Sequence, residues 1–157
     1  MKIKLLAIGK TDEKALQQLI EKYQARLKHY IPFELDIIPD IKNRKNLSEK
    51  QQKEKEGELL LKQIQTSDYV VLLDENGKEF NSVQFANYLQ KKMNSGYKQL
   101  IFIIGGPYGF SEAIYKRSNE KVALSKMTFS HQMVRLFVVE QIYRGFTILK
   151  NEPYHHQ

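Results

Sequence analysis

Short apolar runs alternate along the chain with longer segments that have a helical spacing of apolar residues. Five runs have the length of β-strands and lie at Ile3–Ile8, Phe33–Ile38, Tyr69–Leu73, Leu100–Ile104 and Val122–Leu124. Helical patterns lie at Asp12–Lys28, from Ser48 onward, at Val83–Met93, at Ser111–Ser118 and at His131–Lys150. This alternation predicts an α/β fold with a mostly parallel sheet flanked by helices. No repeat or linker interrupts it, so residues 1–157 are predicted to form one domain.

Two local signals refine the prediction. Ser48 is followed three residues later by Gln51, which predicts a capping box at the start of the charged second helix. DENGKEF, residues 74–80, follows the third strand, and its Asn-Gly pair predicts a turn.

Three loops leave the carboxyl ends of predicted strands: DENGK after Leu73, GGPYG after Ile104 and SKMTF after Leu124. Ligands of open parallel sheets bind just outside these strand ends, so the three loops are expected to converge on one site. The glycine loop has two interpretations, which the residues alone leave open. Gly105 and Gly106 form either a bare turn or a cradle in which a ligand approaches the main chain.

Composition and charge narrow the function classes. The chain has 157 residues, of which 41% are hydrophobic, and 25 Lys and Arg against 18 Asp and Glu give a net charge of +7. This excess favours a polyanionic partner such as nucleic acid. The absence of cysteine excludes disulfides, Cys-based metal sites and thiol nucleophiles. No run has membrane-spanning length and MKIKLLAIGK is too short for a signal peptide, so a soluble, cytoplasmic protein without membrane association is expected.

Several enzyme classes lack their motifs here. GGPYGF does not have the G-x-G-x-x-G order, and the chain contains no phosphate-binding GK[ST], no His pair at metal-ligand spacing on one helix and no G-x-S-x-G elbow. Dehydrogenase, kinase and serine hydrolase are therefore disfavoured, and no metal site is expected.

Four segments together resemble one family. LLDENGK, IFIIGGPYGFSE, LSKMTFSHQMVRLFVVEQIYR and the tail NEPYHHQ, in this order and at these distances, are similar to the bacterial ribosomal large subunit pseudouridine methyltransferase H family of the SPOUT superfamily. The resemblance implies a deep C-terminal trefoil knot within about residues 69–157, a homodimer and S-adenosylmethionine as cofactor. It further implies methylation of N3 of a pseudouridine in helix 69 of 23S rRNA, within the assembled ribosome.

The resemblance also implies a cofactor site. Its candidate residues follow the three strand ends and are Leu73, Gly105, Gly106, Leu124, Ser125, Lys126, Met127, Thr128 and Phe129. Main-chain partners and apolar faces would suit an adenine ring. For Leu73 and Leu124, packing in the core is the alternative.

Methyl transfer requires in-line positioning of the acceptor and removal of its N3 proton. A cation would favour the resulting anion, and a neutral His or a carboxylate could take the proton. The candidates are His131, Arg135, Glu140, Arg144, Tyr154 and His155. Three alternatives stand beside these roles: a structural ion pair between Glu140 and Arg144, ordinary polar contacts of His131 at a helix start, and a disordered tail.

One departure from the family pattern concerns the C-terminus. Family members usually carry Arg or Lys after the tail His, whereas this chain has His156 followed by Gln157. Electrostatic clamping of a phosphate by the tail is therefore expected to be weaker. Two other functions stay open: a non-catalytic RNA- or ribosome-binding module that uses Lys42, Arg44 and Lys45, and a SPOUT enzyme that acts on transfer RNA.

Overall fold

Five strands form one sheet in the computed structural model, which describes residues 1–156. They are β1 (Lys2–Ile8), β2 (Phe33–Ile38), β3 (Tyr69–Glu79), β4 (Gln99–Ile104) and β5 (Glu120–Ala123). Their order across the sheet is β2-β1-β4-β3-β5, and every pairing is parallel. The predicted α/β class and parallel sheet are confirmed.

Five α-helices connect or follow these strands. They are α1 (Lys14–Leu27), α2 (Glu49–Leu61), α3 (Ser82–Met93), α4 (Glu112–Arg117) and α5 (Met133–Leu149). The capping box of α2 is confirmed, because the Ser48 hydroxyl accepts from the Gln51 amide at 3.1 Å and the Gln51 side chain accepts from the Ser48 amide at 2.9 Å. None of the helices in the described part of the chain has the length and apolar character of a membrane span.

The prediction of a turn at residues 74–80 was wrong. The strand β3 continues to Glu79, with a register shift between Leu73 and Lys78, and both of these residues pair with Val122 of β5. Gly77 allows β3 to pair with Val122 again after the register shift. A side chain at this position would clash, because an added Cβ would lie 2.6 Å from the Val122 amide nitrogen. The Asn-Gly signal therefore marks a bulge within a strand, where two backbones come close.

Helices cover both faces of the sheet, which makes three layers. One apolar cluster joins the sheet to α1, α3 and α5, and the other joins it to α2 and α4. Along β3, Val71 belongs to the first cluster, whereas Val70 and Leu72 belong to the second. This two-sided burial explains why the strands are almost continuously apolar. It also leaves the carboxyl ends of all five strands at one edge of the sheet. The trefoil knot stays a prediction.

Candidate active site

A cavity of about 640 Å³ lies at the carboxyl edge of the sheet. Residues from the β3 bulge that begins after Leu73 and from the loops after β4 and β5 line it, together with the segment that leads into α5. The predicted convergence of the three loops is therefore confirmed. The volume lies within the range of small-molecule sites.

Most of the predicted cofactor residues line this cavity. They are Leu73, Gly105, Gly106, Leu124, Ser125, Met127, Thr128 and Phe129. Lys126 lies outside the lining: its side chain is 81% exposed, with Nζ 3.5 Å from a Glu79 carboxylate oxygen. Sequence reasoning did not single out Tyr108, Tyr115 and Val134, which also line the cavity. Each is a side chain whose direction depends on the fold rather than on a motif.

The composition of the walls suits a nucleoside. Leu73 at the start of the β3 bulge, Ile104 at the end of β4 and Leu124 just after β5 supply apolar surface from three neighbouring strands. The loop after β5 is held by the Ser125 hydroxyl, which accepts from the Met127 amide at 3.0 Å. Apolar surface beside main-chain donors and acceptors is what a planar heterocycle with ring nitrogens requires. The residues present therefore fit an adenosine-containing cofactor.

The glycine loop is both a turn and a cavity wall. Gly109 has φ +82°, and its amide donates to the Gly106 carbonyl at 3.1 Å. An added Cβ at Gly105 would lie 3.2 Å from the Phe110 ring, and one at Gly106 would meet the Glu56 carboxyl. Protein side chains therefore occupy the space on the Cβ side of both glycines.

A carboxylate lies at the rim of the same cavity. Asp74 accepts from the Tyr115 hydroxyl at 2.7 Å and from the Asn76 amide at 2.8 Å. Burial opposes ionisation of Asp74, but these bonds outweigh it, so its pKa lies below the ordinary value. Burial and the bond to Asp74 raise the pKa of Tyr115 to about 12. The rim therefore carries a fixed negative charge, which the sequence pattern did not indicate.

Among the predicted catalytic residues, only His131 lines the cavity. It is exposed, at the segment that leads into α5. In the described part of the chain, His, Asp and Glu side chains form no group of three that could hold a metal ion.

Arg135 lies apart from the cavity lining and is only 1% exposed. Its guanidinium donates to the Ile8 carbonyl at 2.8 Å and to the Thr11 hydroxyl at 2.9 Å. Burial lowers its pKa, against the opposing charges of Asp40 and Asp12. In this geometry Arg135 anchors α5 to the end of β1.

The remaining four catalytic candidates form one group, which we call the tail cluster: Glu140, Arg144, Tyr154 and His155. Arg144 donates to one Glu140 oxygen at 2.6 Å from Nη2 and 3.0 Å from Nε, and the Tyr154 hydroxyl donates to the same oxygen at 2.9 Å. Burial disfavours the charge on Arg144, but the bond to Glu140 outweighs it and raises the Arg144 pKa. Glu140 and Arg144 thus do form the i,i+4 ion pair, within a larger network.

The tail is ordered against α5 rather than free in solvent. Asn151 has φ 55°, and the Glu152 amide donates to the Thr147 carbonyl at 2.9 Å, which reverses the chain after the helix. The Tyr154 ring then packs edge-on against Tyr143, with 4.8 Å between ring centroids. The disordered tail that we considered is therefore not observed through His156. Gln157, the last residue of the unusual ending, lies outside the described residues.

The contact between Arg144 and His155 fixes a tautomer. Arg144 Nη1 lies 3.3 Å from His155 Nδ1, and because a guanidinium only donates, Nδ1 accepts. A neutral ring then carries its proton on Nε2. This nitrogen is buried and has no hydrogen-bond partner within residues 1–156. The tail cluster therefore presents a donor without a protein acceptor.

The cavity and the tail cluster lie at different places on α5. Val134 lines the cavity, and Arg144 follows ten residues later, which corresponds to about 15 Å along a helix axis. Within one chain the cofactor candidates and the tail cluster therefore do not share one pocket.

Comparisons with known proteins give one family over nearly the whole chain. The family described as "Predicted SPOUT methyltransferase" matches residues 1–155. A Flavobacterium johnsoniae protein called ribosomal RNA large subunit methyltransferase H is 70% identical over 157 residues, which is 100% of both chains. Proteins with the same name from Christiangramia forsetii and Parabacteroides distasonis are 68% and 66% identical, again over 100% of both chains.

Proposed function

We propose, from the premise that the chain belongs to the SPOUT methyltransferase family, that it is a ribosomal RNA methyltransferase dependent on S-adenosylmethionine. The observation that carries the proposal is the convergence of the three strand-end loops on one cavity with apolar and main-chain walls. The full-length relatives named for ribosomal RNA of the large subunit support the substrate class. The finer proposal is transfer to N3 of a pseudouridine in helix 69 of 23S rRNA, within the assembled ribosome.

The cavity residues would hold the cofactor. Leu73, Ile104 and Leu124 would pack against its adenine, and the Asp74 carboxylate at the rim complements its positive charge. When bound, S-adenosylmethionine supplies an electrophilic methyl group on a sulfonium centre. The chain then has to place the acceptor in line with that methyl and exclude water.

The tail cluster would act on the acceptor. Glu140 accepts from both Arg144 and Tyr154, so it holds these side chains in place rather than serving as a free base. The Arg144 cation would favour the N3 anion of the target base. His155 would help to hold the Arg144 guanidinium in place through the 3.3 Å contact at its Nδ1.

A homodimer would bring the two halves of the site together. Met133 and Phe137 are exposed on α5, and Glu140 and Arg144 continue the same face at helical spacing. Pairing this face across a two-fold axis would bury the apolar side chains and place one chain's tail cluster beside the other chain's cavity. We propose this composite site because about 15 Å separates the halves along α5 of one chain.

Two measurements on the purified protein test the function. Titration calorimetry with S-adenosylmethionine is expected to show binding. A tritium assay is expected to show transfer of the labelled methyl group to ribosomes but not to deproteinised transfer RNA.

Failure to bind the cofactor would favour an RNA-binding module, for which the net charge of +7 and the exposed Lys42, Arg44 and Lys45 would suffice. Transfer to transfer RNA instead of ribosomes would correct the substrate. Sedimentation showing an active monomer would remove the composite site. A cytoplasmic location follows from the proposed substrate.

A further inference from the structure

Glu56 is a buried carboxyl directly behind the cavity wall. It lies on α2 and is 3% exposed. An added Cβ at Gly106 would lie 2.7 Å from Glu56 Oε1 and 2.8 Å from its carboxyl carbon. Gly106 lines the cavity, whereas Glu56 does not. The carboxyl therefore occupies the space that a side chain at Gly106 would need.

The same helix contacts the loop a second time. Gly57 follows Glu56, and an added Cβ there would lie 3.2 Å from Ser111 Cβ and 3.4 Å from Ile114 Cγ1. Ser111 caps α4, with its hydroxyl accepting from the Ile114 amide at 3.4 Å. The helix α2 thus supports the loop at both ends, at Gly106 through Glu56 and at Ser111 through Gly57.

Within residues 1–156, Glu56 Oε1 has no hydrogen-bond partner. The groups that act on Glu56 are the Asp40 carboxylate from the segment after β2, Arg44 from the turn that follows, and Gln52 from its own helix. Burial, followed by the charge of Asp40, raises its pKa, and this outweighs Arg44 and Gln52. Isolated buried carboxylates are costly, so the neutral form is favoured here relative to an exposed glutamate.

We propose that Glu56 is a positioning residue for the cofactor cavity, whose carboxyl sets the place of the Gly105–Gly106 backbone from behind. The neutral carboxyl, close in shape to an amide, fits this buried space without an unpaired charge. Ionisation would place an unpaired charge against the loop and displace it. The proposal rests on the proposed function only in taking S-adenosylmethionine as the ligand.

The pH dependence has a defined sign. Because the pKa of Glu56 is higher in the folded protein, its contribution favours folding most at pH below the ordinary glutamate pKa. The contribution declines as the pH rises through the folded-state value. Cofactor affinity is expected to fall over the same interval, and the Glu56→Gln variant should lack this component.

The experiment compares Glu56→Gln, Glu56→Ala and Glu56→Asp with Glu54→Ala, a change of an exposed glutamate on the same helix. Calorimetry with S-adenosylmethionine across pH measures affinity. Hydrogen exchange of residues 104–111 without ligand measures loop order. We expect the Glu54 variant to bind like the parent at every pH, and the Gln variant to match the parent at low pH but to lack the decline in affinity at higher pH. The Ala variant should bind about tenfold more weakly than the parent at low pH, with faster loop exchange. The side chain of the Asp variant is shorter by one methylene, so its cofactor affinity and loop exchange should lie between those of the parent and of the Ala variant.

A second experiment tests the contact between Glu56 and Gly106 with a double-mutant cycle. Gly106→Ala is expected to weaken binding in the parent and to cost much less in the Glu56→Ala background, where the space is vacated. A folded Glu56→Ala variant with parental affinity and parental loop exchange would overturn the proposal, as would equal loss in the Gln and Ala variants. If Glu56→Ala fails to fold, the Asp variant is judged by the same criteria. If the parent binds no cofactor, the proposed function fails, while the exchange measurement still decides the role of Glu56.

Discussion

The cavity and the tail cluster are built in opposite ways. The cavity consists of strand ends, glycines and apolar side chains, and its position is fixed by the order of strands in a buried sheet. The tail cluster consists of charged and aromatic side chains: Glu140 and Arg144 pair along α5, and Tyr154 and His155 join them only after the chain reverses at Asn151. The first suits binding of a flat cofactor, and the second suits contact with a polar acceptor. A substitution in the tail cluster should therefore leave cofactor binding at the cavity measurable, and a substitution in the cavity should leave the tail cluster intact.

Deletion of the chain from Pro153 onward should have the largest effect. The deletion removes Tyr154 and His155 but none of the cavity lining. We expect cofactor affinity within about threefold of the parent and methyl transfer reduced by about a thousandfold or more, because orientation of the acceptor carries much of the rate. Calorimetry and tritium transfer to ribosomes measure the two quantities. A truncated protein that methylates ribosomes at the parental rate would separate the tail from catalysis.

Arg144→Ala should have the next largest effect. It removes the cation of the tail cluster and leaves Glu140 without its main partner. We expect transfer to fall by about a hundredfold with cofactor affinity unchanged, and Arg144→Lys to recover only part of the loss, because a single ammonium cannot replace both guanidinium bonds.

Arg135→Ala is a matched contrast on the same helix. Arg135 is buried against Ile8 and Thr11, so its loss should lower the free energy of unfolding by about 1–3 kcal/mol. Chemical denaturation measures this change. If Arg135→Ala were as stable as the parent and inactive, Arg135 would return to the list of catalytic candidates.

Gly105→Val tests the cavity half with a smaller effect. The added side chain would press on the Phe110 ring, which also lines the cavity. We expect cofactor affinity to fall by about tenfold, with Gly105→Ala giving a smaller loss, since one methyl requires only a small ring shift. Calorimetry gives the affinity, and far-UV circular dichroism checks the fold. Parental affinity in a folded Val variant would remove Gly105 from the binding wall.

The alternation of apolar runs and helical spacing predicted the fold. A strand that is buried on both faces appears in the sequence as a continuous apolar run, and a helix that packs on the sheet appears as apolar residues at helical spacing. The bounds of β2 were predicted to the residue. The extension of β3 was missed because Asn-Gly favours turns locally, and the pairing with β5 that overrides it is not a local property. The convergence of the three loops followed from parallel topology alone.

Side-chain environment was harder to predict than topology. Arg135 and Glu56 carry charges that are typical of surface residues, and their burial depends on contacts of Arg135 with the end of β1 and of Glu56 with the glycine loop. Lys126 lies inside a motif that otherwise lines the cavity, but its side chain turns outward. The i,i+4 spacing of Glu140 and Arg144 predicted their ion pair from the sequence. The contacts of Tyr154 and His155 with this pair depend on the chain reversal at Asn151, which no motif indicated.

His156→Arg should produce the smallest change and refine the role of the tail. His156 is exposed and follows His155, so its side chain can meet RNA without disturbing the tail cluster. The permanent positive charge of Arg should tighten binding to ribosomes if this position faces phosphate. The slope of log affinity against log salt should then steepen by about 0.7–0.9, the release of roughly one counterion. His29→Arg, which adds the same charge just after α1, is the control and should change neither quantity. Equal gains in both variants would mean that only the net charge matters, and the tail would then make no specific phosphate contact.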